Sequence, residues 1–320
     1  MADDCGYHVF GDMGTRQRRG ASSKGKAHLF GGDWTNTKLE VIQKYLTAYT
    51  TALKSTPFKK AYIDAFAGTG YRTRAAAAEK GDSLELPDLA EDAPQELLDG
   101  SARLALKVKP GFDSYIFIER SVERCRELQK LKEEFPDLEG CITVQQGDAN
   151  KALQELCAKN WRSRRAVVFL DPYGMEVEWK TVEAIARTKA IDLWLLFPFG
   201  IGLTRLLPNH GNVPEPWRRR LDEFLGTTDW YEEMYRTEPT VQGSLFAEEE
   251  PEERIVRATR DDVGKYFIRR LESVFHTVAE PGVLRNSRGC PLYLLCFAAG
   301  NAKGATVALK IADHILKGIR

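Results

Sequence analysis

The sequence predicts an α/β fold built on a doubly wound, mostly parallel sheet. Between residues 61 and 197, five short apolar segments alternate with stretches of helical periodicity, as in chains that form such sheets. Four of the segments run into a glycine or an acidic residue, namely Gly68, Glu119, Asp148 and Asp171. The carboxyl ends of parallel strands share one edge of the sheet, and ligands bind there. We therefore expect a ligand crevice at this edge.

Composition and charge bound the class of protein. The chain has 320 residues, 43% hydrophobic and 29% charged, which suits a globular protein with one large domain or a core with an insertion. The formal net charge is zero, so any surface that attracts nucleic acid must be local. No apolar run approaches the roughly 20 residues that span a bilayer, and the N-terminus lacks the apolar core of a signal peptide. We expect no membrane association and a cytoplasmic location.

The cysteines do not indicate a metal centre. None of them forms a C-x-x-C pair or another paired zinc spacing. We expect no metal site, and structural thiols at Cys5, Cys125, Cys141, Cys157, Cys290 and Cys296.

The N-terminal region combines a polar arm with an amphipathic helix. Residues 1–33 are rich in Gly, Ser and basic side chains and predict a flexible basic arm, which either holds phosphates or is a solvated tail. A helix then begins near Thr35 or Asn36. Lys38 falls in its first turn, where the helix dipole disfavours a cation. It is either a surface lysine or a cation that faces a cofactor or substrate.

The first apolar segment, 61–66, leads into a glycine-rich turn at Gly68 and Gly70. Glycines there leave the backbone open to a nucleotide-type cofactor. A dinucleotide site would need a third glycine where Thr73 stands, and Asp64 lies inside the strand. The pattern D-x-F-A-G-x-G instead resembles motif I of the S-adenosylmethionine-dependent methyltransferases; an ordinary strand–turn–helix is the alternative. The resemblance implies that S-adenosyl-L-methionine is bound by Asp64, Phe66, Ala67, Gly68 and Gly70.

Two further acidic residues follow the second and third strands. Glu119 ends the segment 114–119, where this fold places its acceptor for ribose hydroxyls. An acidic insertion at 75–100 explains its unusual distance from the glycine turn. Asp148, followed by Ala149, resembles the methyltransferase acid that contacts the adenine amino group.

The fourth strand runs into Asp171-Pro172-Tyr173-Gly174. This segment resembles the D-P-P-Y/F motif of methyltransferases that act on exocyclic amines of adenine or cytosine, but it has one proline. In such a motif the carboxylate and the proline carbonyl accept the amine N–H groups, and the aromatic ring stacks the base. A simple strand-ending turn is the alternative.

The C-terminal third predicts an insertion and a closing pair of strands. Residues 201–262 combine Trp, Tyr and Arg with an acidic loop, and we expect an inserted helical cap or substrate-recognition region. Its aromatic and basic side chains either bind bases and phosphates or form a small helical core. After a helix near 263–273, residues 275–280 and 290–299 predict two final strands, followed by a helix at 303–319.

These motifs together resemble the three-Cys-motif partner family. The match lies in Trp34-Thr-x-x-Lys38, the 62–70 motif, Gly100-Ser101 and Asp171-Pro-Tyr-Gly174. Their order is also similar to that in the large-subunit ribosomal RNA adenine-N6 methyltransferases. The resemblance implies a protein partner with a three-cysteine motif and a catalytic role for Asp171. It also implies a cofactor pocket lined by Lys38, Ser101, Glu119 and Asp148.

We therefore expect a Rossmann-like methyltransferase fold, with a seven-stranded sheet formed by residues 34–200 and 263–320. The leading hypothesis is methylation of an exocyclic amino nitrogen in RNA or DNA, with Asp171, Pro172 and Tyr173 at the acceptor site. Methylation of a protein or small molecule is one alternative. A non-catalytic, cofactor-binding scaffold that serves a three-Cys-motif protein is the other.

Overall fold

A computed structural model of the protein describes residues 33–68, 100–200, 203, 206–239 and 253–320. The predicted basic arm up to residue 32, the motif glycine Gly70 and the acidic insertion before Gly100 lie outside the described residues. The acidic loop of the 201–262 region lies largely outside them too.

Ten strands and nine helices are assigned among the described residues. In chain order the strands are β1 (Lys59–Asp64), β2 (Ser114–Glu119), β3 (Ile142–Gln146), β4 (Arg164–Leu170), β5 (Ile191–Phe197), β6 (Tyr235–Pro239), β7 (Glu253–Arg257), β8 (Thr277–Val278), β9 (Gly282–Arg285) and β10 (Pro291–Ala299). The helices are α1 (Asp33–Ala52), α2 (Ser101–Lys107), α3 (Val122–Glu134), α4 (Ala149–Cys157), α5 (Trp179–Arg187), α6 (Glu215–Leu225), α7 (Trp230–Met234), α8 (Arg260–Glu272) and α9 (Ala305–Leu316). Short 3-10 helices cover Pro136–Cys141 and Lys317–Ile319.

The central sheet has the strand order β3-β2-β1-β4-β5-β10-β8. Strands β1 to β5 pair in parallel, and β10 runs antiparallel to β5. The strand order reverses at β1, because this strand pairs with β2 on one side and β4 on the other. The predicted α/β fold with a doubly wound, mostly parallel sheet is therefore confirmed. The reversal point is where such a sheet opens a ligand crevice.

Strand alternation divides the core into two layers. Ile63 and Val168 pack on one face of the sheet with residues of α4, α5 and α8. Tyr62 and Phe169 pack on the other face with residues of α1, α2 and α9. The seven residues of β5 are all buried, since helices cover both faces of this central strand. None of the described helices has the length and apolarity that a bilayer-spanning segment needs.

The edge beyond β10 differs from the prediction of seven strands. The sheet has eight, because the segment at 282–285, predicted as loop, forms β9. Both β8 and β9 pair with the nine-residue β10. Pro281 lies between them and has no backbone N–H to donate. The edge strand is thus split into two short pieces.

The 201–262 region contains α6 and α7, and also an antiparallel pair of strands, β6 and β7, that the sequence did not predict. Most residues of both strands are exposed, so they lack an apolar alternation. Trp230 is fully buried and its indole N–H donates to Asp222 at 2.6 Å. Of the two roles considered for the aromatic residues of this region, Trp230 therefore has that of a core residue. The boundary of the insertion at 201–262 stays a prediction.

Aromatic rings join this region to the sheet. Phe197 of β5 stacks on Phe267 of α8, with centroids 3.9 Å apart and planes 3° from parallel. Phe224 of α6 lies 5.8 Å and 5.7 Å from these two rings. The helix then ends at Gly226 with φ +68°, where an added Cβ would lie 2.1 Å from Cδ1 of Trp179. Helix α6 therefore packs directly on the core.

Candidate active site

The turn after β1 lies against the end of β2. Gly68 donates its backbone N–H to the Phe66 carbonyl at 2.7 Å, and Ala67 donates to the Ile118 carbonyl at 3.1 Å. A Cβ added at Gly68 would lie 3.2 Å from Nη1 of Arg124. The first motif glycine therefore allows a close approach that a larger residue would disturb.

Glu119, at the end of β2, is a buried carboxylate with one engaged oxygen. Its Oε1 accepts the Ser121 N–H at 2.8 Å and lies 3.8 Å from Nη1 of Arg124. Its Oε2 lies 3.4 Å from the position of a Cβ on Gly68 and accepts no hydrogen bond from the described residues. A hydrogen-bond acceptor thus stands free beside the glycine turn.

Asp64, the last residue of β1, is fully buried at the point of strand reversal. Its Oδ2 accepts the Ser101 hydroxyl at 2.5 Å and the Tyr62 hydroxyl at 3.3 Å. Its Oδ1 is buried and has no hydrogen-bond partner among the described residues. Burial raises the pKa of this carboxyl from 3.8 to about 7. The charge of Asp171 acts in the same direction, whereas the two hydroxyl hydrogen bonds and the nearby Phe66 backbone N–H oppose it.

Asp171, directly after β4, is held by a buried cation. The Lys38 ammonium donates to Oδ2 of Asp171, and Lys38 is 5% exposed. The same ammonium lies 5.2 Å from the ring centroid of Trp34 and 6.0 Å from that of Phe169. The helix already includes Asp33, so the expected start near Thr35 or Asn36 is wrong, and Lys38 lies beyond the first turn of α1. The carboxylate supplies the partner that this buried ammonium needs. Asp171 Oδ1 accepts no hydrogen bond from the described residues.

The two residues after Asp171 point into different surroundings. Pro172 is buried, whereas Tyr173 is 45% exposed. The guanidinium carbon of Arg124 lies 5.7 Å from the Tyr173 ring centroid. Gly174 follows with φ +69°, a left-handed conformation that glycine adopts without strain. Tyr173 therefore presents an accessible ring at the same edge as Asp171.

Asp148 and Ala149 are less closely associated with this cluster. Asp148 is exposed, and its side chain caps α4 by accepting the Lys151 N–H at 3.0 Å. Ala149 is buried in the core beneath the helix. The Gly147 N–H donates to the Glu119 carbonyl at 3.0 Å, so Asp148 stands at the neighbouring strand end. Within the described part of the chain, no side-chain hydrogen bond joins Asp148 to Glu119, Asp64 or Asp171.

Six of the other predicted residues form three pairwise contacts. These are Lys38 with Asp171, Ser101 with Asp64, and Gly68 with Glu119. The structure adds Tyr62 and Arg124, which the sequence did not single out. Tyr62 could have been found, because residues two apart on a strand share a face and Asp64 lies two positions on. Arg124 is one of several charged residues on α3 and carries no such signal.

The described residues contain no group of three His, Cys, Asp or Glu side chains placed as metal ligands would be. The five cysteines within that part of the chain are free thiols. Burial raises the pKa of Cys157 to about 12, as for a thiol that packs as a small apolar group.

Comparison with known proteins yields distant structural similarities. No protein-family model and no curated protein sequence matches the chain. Similar solved structures include protein LPL1258 from Legionella pneumophila, at 13% identity and a TM-score of 0.46, covering 91% of this chain and 94% of that one. A spermidine synthase in complex with the transition-state analogue AdoDATO has 12% identity and a TM-score of 0.40, covering 88% of this chain and 63% of that one. An S-adenosylmethionine-dependent methyltransferase from Clostridium acetobutylicum has 11% identity and a TM-score of 0.34, covering 83% and 92%. These similarities are too distant to bear on activity, and the fold class rests on the strand order of the chain itself.

Proposed function

We propose that the protein is an S-adenosylmethionine-dependent methyltransferase that acts on an exocyclic amino nitrogen of a base in RNA or DNA. One observation carries the proposal. The carboxylate of Asp171 is fixed by buried Lys38 at the sheet edge where Asp64 and Glu119 also end their strands. An acceptor for a substrate N–H thus adjoins acceptors suited to a cationic nucleoside cofactor.

The described residues fit that cofactor. When bound, S-adenosylmethionine supplies a methyl group on a positively charged sulfur. Oδ1 of Asp64 is a buried acceptor without a described partner, which suits an N–H donor of the ligand. Oε2 of Glu119 suits a ribose hydroxyl, and the lack of a Cβ at Gly68 lets the side chains of Glu119 and Arg124 approach the turn closely. Gly70 and Asp148 would complete this site by their motif positions.

The acceptor side has the groups that an amino nitrogen requires. An exocyclic amine is a weak nucleophile because its lone pair is delocalised into the ring. Lys38 orients the Asp171 carboxylate, and Oδ1 remains able to accept an N–H of the amine. The Pro172 carbonyl would be the second acceptor. Tyr173, at 45% exposure, offers a ring face on which an unpaired base can stack.

One observation favours a second candidate. Oδ2 of Asp171 is already engaged by Lys38, as it would be in a protein that binds the cofactor without transferring the methyl group. Such a scaffold would serve a protein partner with a three-cysteine motif, as the sequence resemblance implies. Methylation of a protein or small molecule would use the same carboxylate with a different acceptor.

Calorimetric titration with S-adenosylmethionine, and separately with NAD, tests the cofactor assignment. We expect binding of the former alone, lost in Gly68→Val and strongly weakened in Glu119→Gln. Gly140→Val and Glu123→Gln are matched controls, because a Cβ at Gly140 meets nothing within 4 Å and Glu123 is exposed on α3. Failure of the wild-type chain to bind S-adenosylmethionine would refute the proposal.

A radiolabelled-methyl screen over RNA, DNA and protein then tests the acceptor. Asp171→Asn should abolish transfer while it leaves cofactor affinity within a few-fold. Transfer at the wild-type rate in that variant would exclude the proposed role of Asp171. Cofactor binding without transfer to any acceptor class would favour the scaffold.

A further inference from the structure

The turn between β9 and β10 is held in one conformation by its own hydrogen bonds. The Asn286 side chain accepts the backbone N–H of Arg288 at 3.0 Å and that of Cys290 at 2.9 Å. Gly289 donates to the Asn286 carbonyl at 2.9 Å and has φ +77°. The side chains of the turn are thus presented on a fixed backbone, which lowers the cost of ordering them on a ligand.

This turn lies at the edge of the sheet that carries the candidate active site. Strand β10 runs antiparallel to β5, with Leu294 paired to Phe197. Gly200 donates to the Leu292 carbonyl at 3.0 Å, so β10 begins beyond the carboxyl end of β5. At the base of the hairpin, Tyr293 packs on Trp34 with ring centroids 5.0 Å apart. That tryptophan also contacts Lys38, the partner of Asp171.

The charge of the hairpin is positive. Residues 282–291 include Arg285 and Arg288 and no acidic residue. Both arginines are exposed; Arg285 donates to the Gly289 carbonyl at 3.3 Å, and no contact joins the Arg288 guanidinium to the described residues. The formal net charge of the chain is zero, so this basic surface is a local feature.

A further exposed arginine lies on the opposite side of the acceptor residue Asp171. Arg120 follows directly after β2, and its side chain is exposed. In the strand order, β2 and β10 each stand two strands from β4, whose end carries Asp171. At about 4.8 Å per strand, β2 and β10 lie about 10 Å to either side of β4. Arg285, on β9, lies one strand further out, and Arg288 lies in the turn between β9 and β10. The exposed ring of Tyr173 lies between Arg120 and these two arginines.

We propose that the β9–β10 hairpin binds the phosphate backbone of a single-stranded nucleic acid substrate on one side of the acceptor base, and that Arg120 binds it on the other. This inference rests on the proposed function and names the substrate strand and its binding surface. Guanidinium groups match phosphate oxygens in two parallel hydrogen bonds. A base can reach Asp171 only outside a duplex stack, and an accessible ring between two phosphate contacts suits a single strand. An acidic protein surface would match the charge but would not require the ring.

Fluorescence anisotropy with a labelled single-stranded RNA of mixed sequence, about 20 nucleotides long, tests this surface. The variant R285Q/R288Q should bind about 20-fold more weakly than the wild type at about 0.1 M salt. Its plot of log affinity against log salt should be flatter by about 1.4, or about 0.7 for each phosphate that is no longer neutralised. R120Q should show about half of that change in slope.

R162Q/R164Q is the matched control, since both arginines are exposed at the amino end of β4 and the charge change is equal. It should bind RNA like the wild type. An unchanged slope in R285Q/R288Q, or an equal change in the control, would overturn the proposal. So would a wild-type chain that binds no RNA or single-stranded DNA, a result that would direct attention to an acidic protein partner.

Calorimetry with S-adenosylmethionine on the same variants separates this outcome from failure of the methyltransferase proposal. All three variants should bind the cofactor like the wild type, which also shows that they are folded. Retained cofactor binding without RNA binding refutes the hairpin surface alone. Absence of cofactor binding in the wild type refutes the proposed function.

Discussion

Replacing Asp64 by Asn should change the stability of the protein, relative to the wild type, by an amount that rises with pH. Burial raises the pKa of Asp64 from 3.8 to about 7, so between these values the folded carboxyl keeps its proton while the unfolded one has lost it. The stabilisation that comes from this raised pKa of Asp64 is fully present below the unfolded pKa. It is lost as the pH rises through the folded pKa. Three pH units at about 1.4 kcal/mol each make the total loss about 4 kcal/mol.

The Asn variant has no such titration, and its amide keeps an oxygen for the Ser101 and Tyr62 hydroxyls. Its free energy of unfolding relative to the wild type should therefore rise by about 2.5 kcal/mol between about pH 5 and about pH 8. Urea denaturation followed by tryptophan fluorescence measures this difference, provided that both proteins give the same slope against urea.

Asp262→Asn is the control for this experiment. The Thr259 side chain and backbone donate hydrogen bonds to Asp262 and lower its pKa. The contribution of Asp262 to the free energy of unfolding is therefore lost only at pH values below its unfolded pKa. The free energy difference between Asp262→Asn and the wild type should then stay constant between about pH 5 and about pH 8. If the Asp64→Asn difference were also flat over that interval, Asp64 would not be a buried, protonated carboxyl in the folded state.

Two substitutions test the packing around the site and the sheet. Lys38→Met leaves the Asp171 carboxylate without its buried cation and should lower the free energy of unfolding by about 2 kcal/mol. The cost is smaller than for a fully buried pair because the side chain of Asp171 keeps some solvent contact. Gly300→Ala would place a Cβ 2.1 Å from the Ile191 carbonyl oxygen and should cost about 3 kcal/mol, because backbone must shift. Urea denaturation at neutral pH measures both changes in the free energy of unfolding, from the shift of the midpoint.

Each of these substitutions has a surface control. Lys44 pairs with Glu40 on the exposed face of α1, and Lys44→Met should cost less than about 0.5 kcal/mol. A Cβ at Gly318 meets nothing within 4 Å, so Gly318→Ala should change stability by no more than about 0.5 kcal/mol. Equal destabilisation at Lys38 and Lys44, or at the two glycines, would contradict the described packing.

The parallel core could be predicted because its strands are continuous apolar runs. The segment 114–119 was predicted at its observed bounds, since buried strands flanked by polar turns stand out in a sequence. Exposed strands do not. Strands β6 and β7 face solvent along most of their length, and β9 follows a proline and begins with glycine, so the signals there indicate loops.

The candidate site could be predicted as a set of strand ends, but its contacts could not. Lys38 and Asp171 are 133 positions apart, and only the packing of α1 on the sheet brings them together. The placement of Arg124 beside Gly68 depends on the rotation of α3, which its charged sequence fixes only weakly. Motif residues thus identify the edge of the sheet, whereas tertiary packing determines which side chains pair there.

The stacked rings of Phe197, Phe224 and Phe267 have a consequence for motion. Lifting α6 off the sheet would separate the buried Phe224 ring from the two nearly parallel rings beside it. This would cost about 0.5–1.5 kcal/mol for each of the two pairs, beyond the cost of exposing buried area. We therefore expect the amide hydrogens of α6 to exchange with solvent as slowly as those of β5, in one cooperative unit. Whatever this helix contributes to selectivity then comes from a rigid surface and not from a hinged lid.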